Sequence, residues 1–368
     1  MRIAFLCPHL RIAGGVRAIL THADRLAARG HDVSVIVPAR RPLRAWWRNR
    51  FATTPTWMPG LRARVVWVPD WDPARLPDGD ALVATAWQSA PPVAAAPARC
   101  GAKFYFVQHY ESLYHGDAAR VDATYRLPLR KIAISTWLAD VMAERFESPA
   151  AVVVTPVDPA LFHPVPEARD DRVRVLMLQH DYAWKGAAEG AEVVARVRAA
   201  HPSLLFVGFG LKPPPAGAPF DEFFADLAQE RLAWLYSRCA IYLCPSWDEG
   251  LGMPPMEAMA CGAALCTYDN GGSRDYAIDG RTALVVPRRD AEGLARALAR
   301  LVEDGALRER IARGGQAFVT RQFDWERATA RLEALLGRSS SGPPAPPAAW
   351  PSGPAPDPAS ALRPGRRP

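Results

Sequence analysis

The chain has 368 residues, 49% of them hydrophobic and 23% charged, with six cysteines and a formal net charge of +7. Its length suggests two domains of ~150 residues with some surplus, the apolar content suffices for two cores, and no stretch approaches the ~18 apolar residues of a membrane-spanning helix. The charge excess is local: Arg40, Arg41, Arg44, Arg48, Arg50, Arg62 and Arg64 lie where no acid occurs between Asp32 and Asp70, so no basic stripe runs along a domain and no nucleic-acid partner is expected.

Residues 2–7 read as a buried strand, and Pro8 to Val16 turns through Gly14-Gly15 into a helix with apolar spacing that reaches about Arg29. Gly30 closes that helix, and His31 to Val37 is the next strand, so a parallel α/β sheet begins at the first residues. The Gly14-Gly15 pair is not the G-x-G-x-x-G fingerprint, yet its bareness among bulky neighbours marks it as a candidate ligand loop. Residues 40–64 form a basic interruption carrying Trp46, Trp47, Phe51, Trp57 and Met58. Two readings stay open for it. Rings with arginines and no acid suit an anionic membrane surface, and a solvated loop with some rings tucked into the core would look the same.

Val65 to Val68, Ala81 to Thr85 and Lys103 to Val107 are further strands. Asp70-Trp71-Asp72 and Asp78-Gly79-Asp80 resemble a divalent-metal pattern, but in a Pro-rich loop they read as turn residues, and no metal site is assigned. His109 follows the third of these strands, and ligands gather at the carboxyl ends of parallel strands. Lys131 to Ile134, a helix over Trp137 to Phe146 and a strand at Val152 to Val154 complete the first domain, 1–165. Residues 157–174 read as a linker.

The second domain, 172–322, opens with the strand Val175 to Leu178, followed by His180, Lys185-Gly186 and a helix. Leu204 to Gly210 is a strand, Lys212 to Pro219 a loop and Leu227 to Cys239 a helix. Ile241 to Gly262 then reads strand, loop, helix. Pro245 ends the strand, Pro254 and Pro255 suit a first helical turn, and Gly250-Leu251-Gly252-Met253 offers backbone N–H groups to an anion where the helix dipole is positive. Glu257 is assigned to that first turn and Glu249 to the loop, the two carboxylates flanking one crevice and each able to accept from paired hydroxyls. The strand Ala263 to Thr267, helices at 291–302 and 307–318, and a last helix over 323–337 follow, and 338–368 is too rich in Ser, Pro, Gly and Ala to bury a core, so disorder is expected.

From Glu249 to Glu257 the sequence resembles the family 4 glycosyltransferases, whose signature E-G-(F/L)-G-x-x-x-x-E-A-x-A-x-G it matches with the seven-residue spacing intact. The likeness continues through Asn270-Gly271-Gly272 and Asp279-Gly280 to Pro287. It implies a GT-B fold, two Rossmann-like domains facing a cleft, the first on the acceptor side and the second binding the nucleotide sugar, with the last helix packing back on the first domain. It also implies retaining transfer of a sugar from a nucleotide-sugar donor, with no bound metal and no cofactor beyond that donor, to a glycan, lipid-linked or small-molecule acceptor. By the same resemblance Glu257 accepts from the ribose, Glu249 binds sugar hydroxyls, Lys185 steadies the diphosphate, and Gly14, Gly15 and His109 face the cleft. The family has Arg where His180 stands, which leaves only a partly protonated cation there near neutral pH. Two alternatives remain, a non-catalytic sugar-binding or scaffold protein on the same fold and a sugar-nucleotide epimerase. The cysteines Cys7, Cys100, Cys239, Cys244, Cys261 and Cys266 form no C-x-x-C pair and sit in apolar runs, as buried thiols of a reducing compartment do. With an N-terminal apolar run too short for a signal-peptide core, a cytoplasmic protein is expected, and the membrane reading of 40–64 would hold it at the inner face of the membrane.

Overall fold

The computed structural model describes residues 1–39, 41–51 and 54–338; the expected C-terminal tail lies, from 339 on, outside the described residues. The first sheet is built from β1 (Arg2–Leu6), β2 (Asp32–Pro38), β3 (Arg64–Val68), β4 (Ala81–Ala84), β5 (Ala102–Val107), β6 (Arg130–Ala133) and β7 (Ala150–Val152). Between them run α1 (Gly14–Ala28), α2 (Pro42–Phe51), α3 (Ala90–Ala95), α4 (Ala118–Tyr125) and α5 (Thr136–Phe146). The second sheet holds β8 (Arg174–Leu178), β9 (Leu205–Gly210), β10 (Glu222–Ala225), β11 (Ile241–Cys244), β12 (Ala264–Tyr268) and β13 (Ala283–Val286). Its helices are α6 (Ala187–Ala200), α7 (Gln229–Arg238), α8 (Met253–Ala260), α9 (Ala291–Glu303) and α10 (Gly305–Gln322), and α11 (Trp325–Leu336) ends the described chain.

The strand orders are β3-β2-β1-β4-β5-β6-β7 and β10-β9-β8-β11-β12-β13, every pairing parallel. Helices on both faces bury such strands on two sides, which is why the central ones are continuous apolar runs. Each order reverses once, between β1 and β4 and between β8 and β11. There adjacent loops part in opposite directions and open a crevice at the carboxyl ends. α11 returns to the first domain: Glu333 accepts from Arg29 at 2.8 Å and pairs with His31 at 2.7 Å, and Trp325 sets its ring edge on buried His22.

Several elements differ from the sequence reading. The basic interruption contains α2, with Leu43, Trp46, Trp47 and Phe51 on one helical face and Ala45 buried on the other. It lies on β3, where the Asn49 side chain takes both free edge groups of Trp67, accepting from its N–H at 2.7 Å and donating to its carbonyl at 2.8 Å. This covers a sheet edge that would otherwise offer unpaired groups. The short α3, α4 and β10 lie in stretches left without an element, because Ala- and Pro-rich or edge segments carry little periodicity. Helix α8 starts at Met253 behind left-handed Gly252 (φ +91°), so Glu257 stands in the second turn rather than the first.

Candidate functional site

The loops leaving β1, β8 and β11 converge where the two switch points face each other. The β8 loop ends in a 3-10 turn, Ala183–Lys185, and left-handed Gly186 (φ +67°). A side chain at Gly186 would come within 2.1 Å of the Pro245 carbonyl on the β11 loop, so only glycine permits this approach. Trp247 N–H donates to the Trp184 carbonyl at 2.8 Å, tying the loops together and bringing Lys185 to Glu249. The Lys185 ammonium donates to both Glu249 oxygens, at 2.7 and 2.8 Å. Glu249 itself is held by its backbone, its N–H donating to Asn270 and its carbonyl accepting from Gly272. Burial alone would raise the Glu249 carboxyl; the Lys185 charge and hydrogen bonds more than reverse this and hold it below its ordinary range.

From the first domain, His109 stands beyond the end of β5, close enough for the Glu249 and Lys185 charges to act on it. Both its ring nitrogens are shut from solvent with no partner among the described residues. Burial lowers its titration below the usual histidine value, Lys185 adds to this and Glu249 opposes it, leaving a neutral ring. His180 is also pushed down, by burial and then by Lys185. Its Nδ1 accepts from the Tyr182 N–H at 3.1 Å, which puts the proton on Nε2. The balance at the partial cation expected there shifts toward the neutral N–H donor, because burial beside an ammonium disfavours a second positive charge.

Glu257 is separate from this group. It is 1% exposed, and its oxygens accept from Arg17 of α1 in the other domain and from the Tyr236 hydroxyl at 3.1 Å. With Gly14, Arg17 and Met253 it lines a cavity of about 670 Å3 between α1 and α8. Leu251, Gly252 and Met253 have backbone N–H groups without a backbone acceptor among the described residues, and Pro254 and Pro255 add no donors. Gly250 has another reason to be glycine: a side chain would meet the Gln108 carbonyl at 1.9 Å, so the first domain closes on this loop. Gly15 faces the same Gln108, whose side-chain oxygen would be 3.0 Å from an added Cβ.

Sequence reasoning passed over an aromatic clasp across the cleft. Tyr114 stacks on Trp184 at 4.1 Å and Trp184 on Tyr182 at 4.2 Å, while the Tyr114 hydroxyl donates to Asp248, which also binds Arg288. Trp184 and Asp248 each directly precede a residue singled out from the sequence, and that adjacency was the available signal. Nothing local signals Arg17, since its partner lies 240 positions away. The two D-x-D patterns act as turns: Asp72 caps a 3-10 turn and, with Asp70, pairs Arg75, while Asp78 pairs Arg99. Among the described residues no cluster suited to a metal ion occurs, all six cysteines are buried and free, and no helix is long and apolar enough to cross a membrane.

Residues 161–318 match the family model described as glycosyl transferases group 1, the group to which the Glu249 to Glu257 signature points. The chain is 30% identical over 280 residues to the O-antigen biosynthesis protein RfbC of Myxococcus xanthus, covering 74% of this chain and 22% of that protein. It is also 30% identical over 223 residues to the lipopolysaccharide core biosynthesis mannosyltransferase LpcC of Rhizobium leguminosarum bv. viciae, covering 53% of this chain and 62% of that one. It thus spans less than two thirds of either relative's length. Among solved structures, sucrose-phosphate synthase from Thermosynechococcus elongatus has a TM-score of 0.74 at 18% identity, covering 91% of this chain and 98% of that one. This likeness shows the fold: GT-B, two parallel α/β domains facing a cleft.

Proposed function

From the premise that residues 161–318 are a glycosyl transferases group 1 segment within a GT-B fold, we propose that the protein is a retaining glycosyltransferase, moving a sugar from a nucleotide-sugar donor to a glycan or lipid-linked acceptor. One observation carries this reading: the Lys185–Glu249 ion pair and the partnerless His109 ring meet where both switch points face each other. The bond from the anomeric carbon to the diphosphate breaks with its electron pair leaving on the phosphate oxygen. The acceptor oxygen bonds to that carbon, and its proton passes to the departing phosphate. Lys185, the neutral Nε2–H of His180 and the N–H groups of Leu251, Gly252 and Met253 meet the developing negative charge, electrostatic stabilisation of the oxyanion-hole kind that asks for no metal. Glu249, its ammonium partner drawn to phosphate, binds sugar hydroxyls and steadies positive charge at the ring. Glu257 accepts from the ribose once Arg17 gives way, and His109 with Gly14 and Gly15 positions the sugar from the other side.

Both curated relatives are named for O-antigen or lipopolysaccharide core synthesis, which favours a lipid-linked or envelope glycan acceptor reached from the cytoplasmic face. The outer face of α2 supports peripheral contact with an anionic membrane. Leu43, Trp46, Trp47 and Phe51 are 68%, 54%, 52% and 63% exposed, with Arg44 and Arg50 in water beside them. Trp57, by contrast, is half-buried, its Nε1–H donating to the Leu10 carbonyl at 3.0 Å. The test is hydrolysis of a panel of nucleotide sugars by the wild type and by Glu249→Gln. At least one donor turned over, and lost in the variant, is expected; no turnover of any donor would leave the sugar-binding or scaffold alternative.

A further inference from the structure

A second cavity, of about 1000 Å3, opens on the first domain alone, at the carboxyl ends of β1, β2 and β3 beneath α2. Its walls are the rings of Trp57, Trp67 and Trp71 together with Arg11, Arg44 and Arg48, and no Asp or Glu lines it. The rings are fixed. Trp57 is tied to Leu10, Trp71 Nε1 donates to the Ile36 carbonyl at 3.3 Å, and the Arg48 guanidinium lies 4.0 Å over the Trp67 ring. Two polar atoms here, Trp67 Nε1 and His9 Nδ1, are buried without a partner among the described residues. Arg62 and Arg64 nearby pair with Asp24 and Asp32. Arg11 and Arg44 are exposed and have no acidic partner among the described residues.

Fixed indole faces pack well against the C–H faces of sugar rings, here those of Trp57 and Trp71 since Arg48 covers Trp67, and guanidinium forks match phosphate oxygens. We propose that this cavity is the acceptor site and takes a saccharide that carries a phosphate group, its ring on the indoles and its phosphate on Arg11 and Arg44. This rests on the sugar-transfer reading above. The loop Pro8–Arg11 that walls the cavity runs on to Gly14 and Gly15, and Gly15 faces Gln108, the neighbour of His109, so an acceptor seated here reaches over that loop to the donor sugar. Arg44 lies on the same helix that turns Trp46 and Trp47 outward, which suits a phosphate at the surface of a lipid layer.

The test is calorimetric binding of glucose 6-phosphate, glucose and inorganic phosphate to the wild type and to Arg11→Ser/Arg44→Ser. Neither guanidinium has a hydrogen-bond partner among the described residues, so the variant is expected to melt with the wild type. Glucose 6-phosphate should bind at least about tenfold more tightly than either fragment, and the variant should lose about tenfold, the worth of one charge-assisted contact. Equal affinity for glucose and its phosphate, no binding of the phosphate, or undiminished binding by the variant overturns the proposal. A dodecyl 6-phosphoglucoside in phosphatidylcholine vesicles distinguishes the sources: tighter binding than the free phosphate identifies a membrane-held acceptor, equal binding a soluble one. Donor hydrolysis by the wild type is read separately. If it is absent the transfer reading fails, and if it is present without phosphate selectivity only this site does.

Discussion

At the cleft, Lys185 and Glu249 are charges largely withdrawn from water that hold each other at 2.7 and 2.8 Å, whereas on α2 Arg44 and Arg50 remain in water beside exposed rings. The difference is one of leverage. A buried ion pair is costly to break, because the remaining partner loses both water and its counter-charge. Exposed arginines act weakly, additively and in a salt-dependent way. The cleft can therefore hold a geometry, while the outer face of α2 biases where the molecule sits.

The contrast breaks most sharply with Glu249→Ala, which strands Lys185 and should cost ~3 kcal/mol of stability as well as turnover. Chemical denaturation reads the first, and Lys185→Ala/Glu249→Ala should regain part of the loss; a double variant with additive losses would mean that the two are not coupled. Glu257→Ala comes next, expected to weaken nucleotide-sugar binding by about 1.5–3 kcal/mol. Arg17→Ala, which frees the same carboxylate, should instead tighten binding by calorimetry. If both variants weaken it, Arg17 contacts the donor itself. His109→Ala should lower turnover while donor affinity stays near the wild-type value, since the ring belongs to the opposite domain and meets the sugar on closure; loss of affinity and melting temperature together would make it a core residue.

Acidity extends the comparison. Burial pushes His22, between Phe106 and Trp325, down to about 3, so the folded state keeps it neutral. The unfolded chain binds that proton first, and stability should fall with pH from the ordinary histidine value of 6.5 toward about 3. His22→Phe should flatten this slope in denaturation curves taken across the window, and an unchanged slope would assign it to other groups. The smallest effects belong to α2. Trp46→Ser/Trp47→Ser should change stability by no more than about 0.5 kcal/mol yet reduce co-sedimentation with anionic vesicles. Arg44→Ser/Arg50→Ser should lose ~1 kcal/mol of vesicle affinity per residue at low salt. Arg48 is the wrong choice for this test because it packs on Trp67. Binding that ignores lipid charge would reject α2 as a membrane contact.

Much of the frame was legible in the residues. Val33 to Val37 and Ile241 to Cys244 read as strands buried on both faces, and Pro254-Pro255 behind a glycine loop suits the opening of a helix. α2 escaped because its apolar stripe points outward: spacing at 43, 46, 47 and 51 was present, but an arginine at almost every other position masked it. His180 is a related case, since the lowering of its titration follows from burial beside Lys185, which its neighbours in sequence do not show.

By itself the chain determined the alternation of strands and helices, the parallel pairing and the loops where ligands gather, because apolar runs, glycine and proline act over a few residues. Only the tertiary structure decided which charges are partnered. Arg17 meets Glu257 across 240 positions and Tyr114 meets Trp184 across the cleft, while Arg11 and Arg44 find no acid among the described residues. A charge acquires its chemistry from what surrounds it after folding, since desolvation and Coulomb attraction depend on distance in space, to which separation along the chain is no guide.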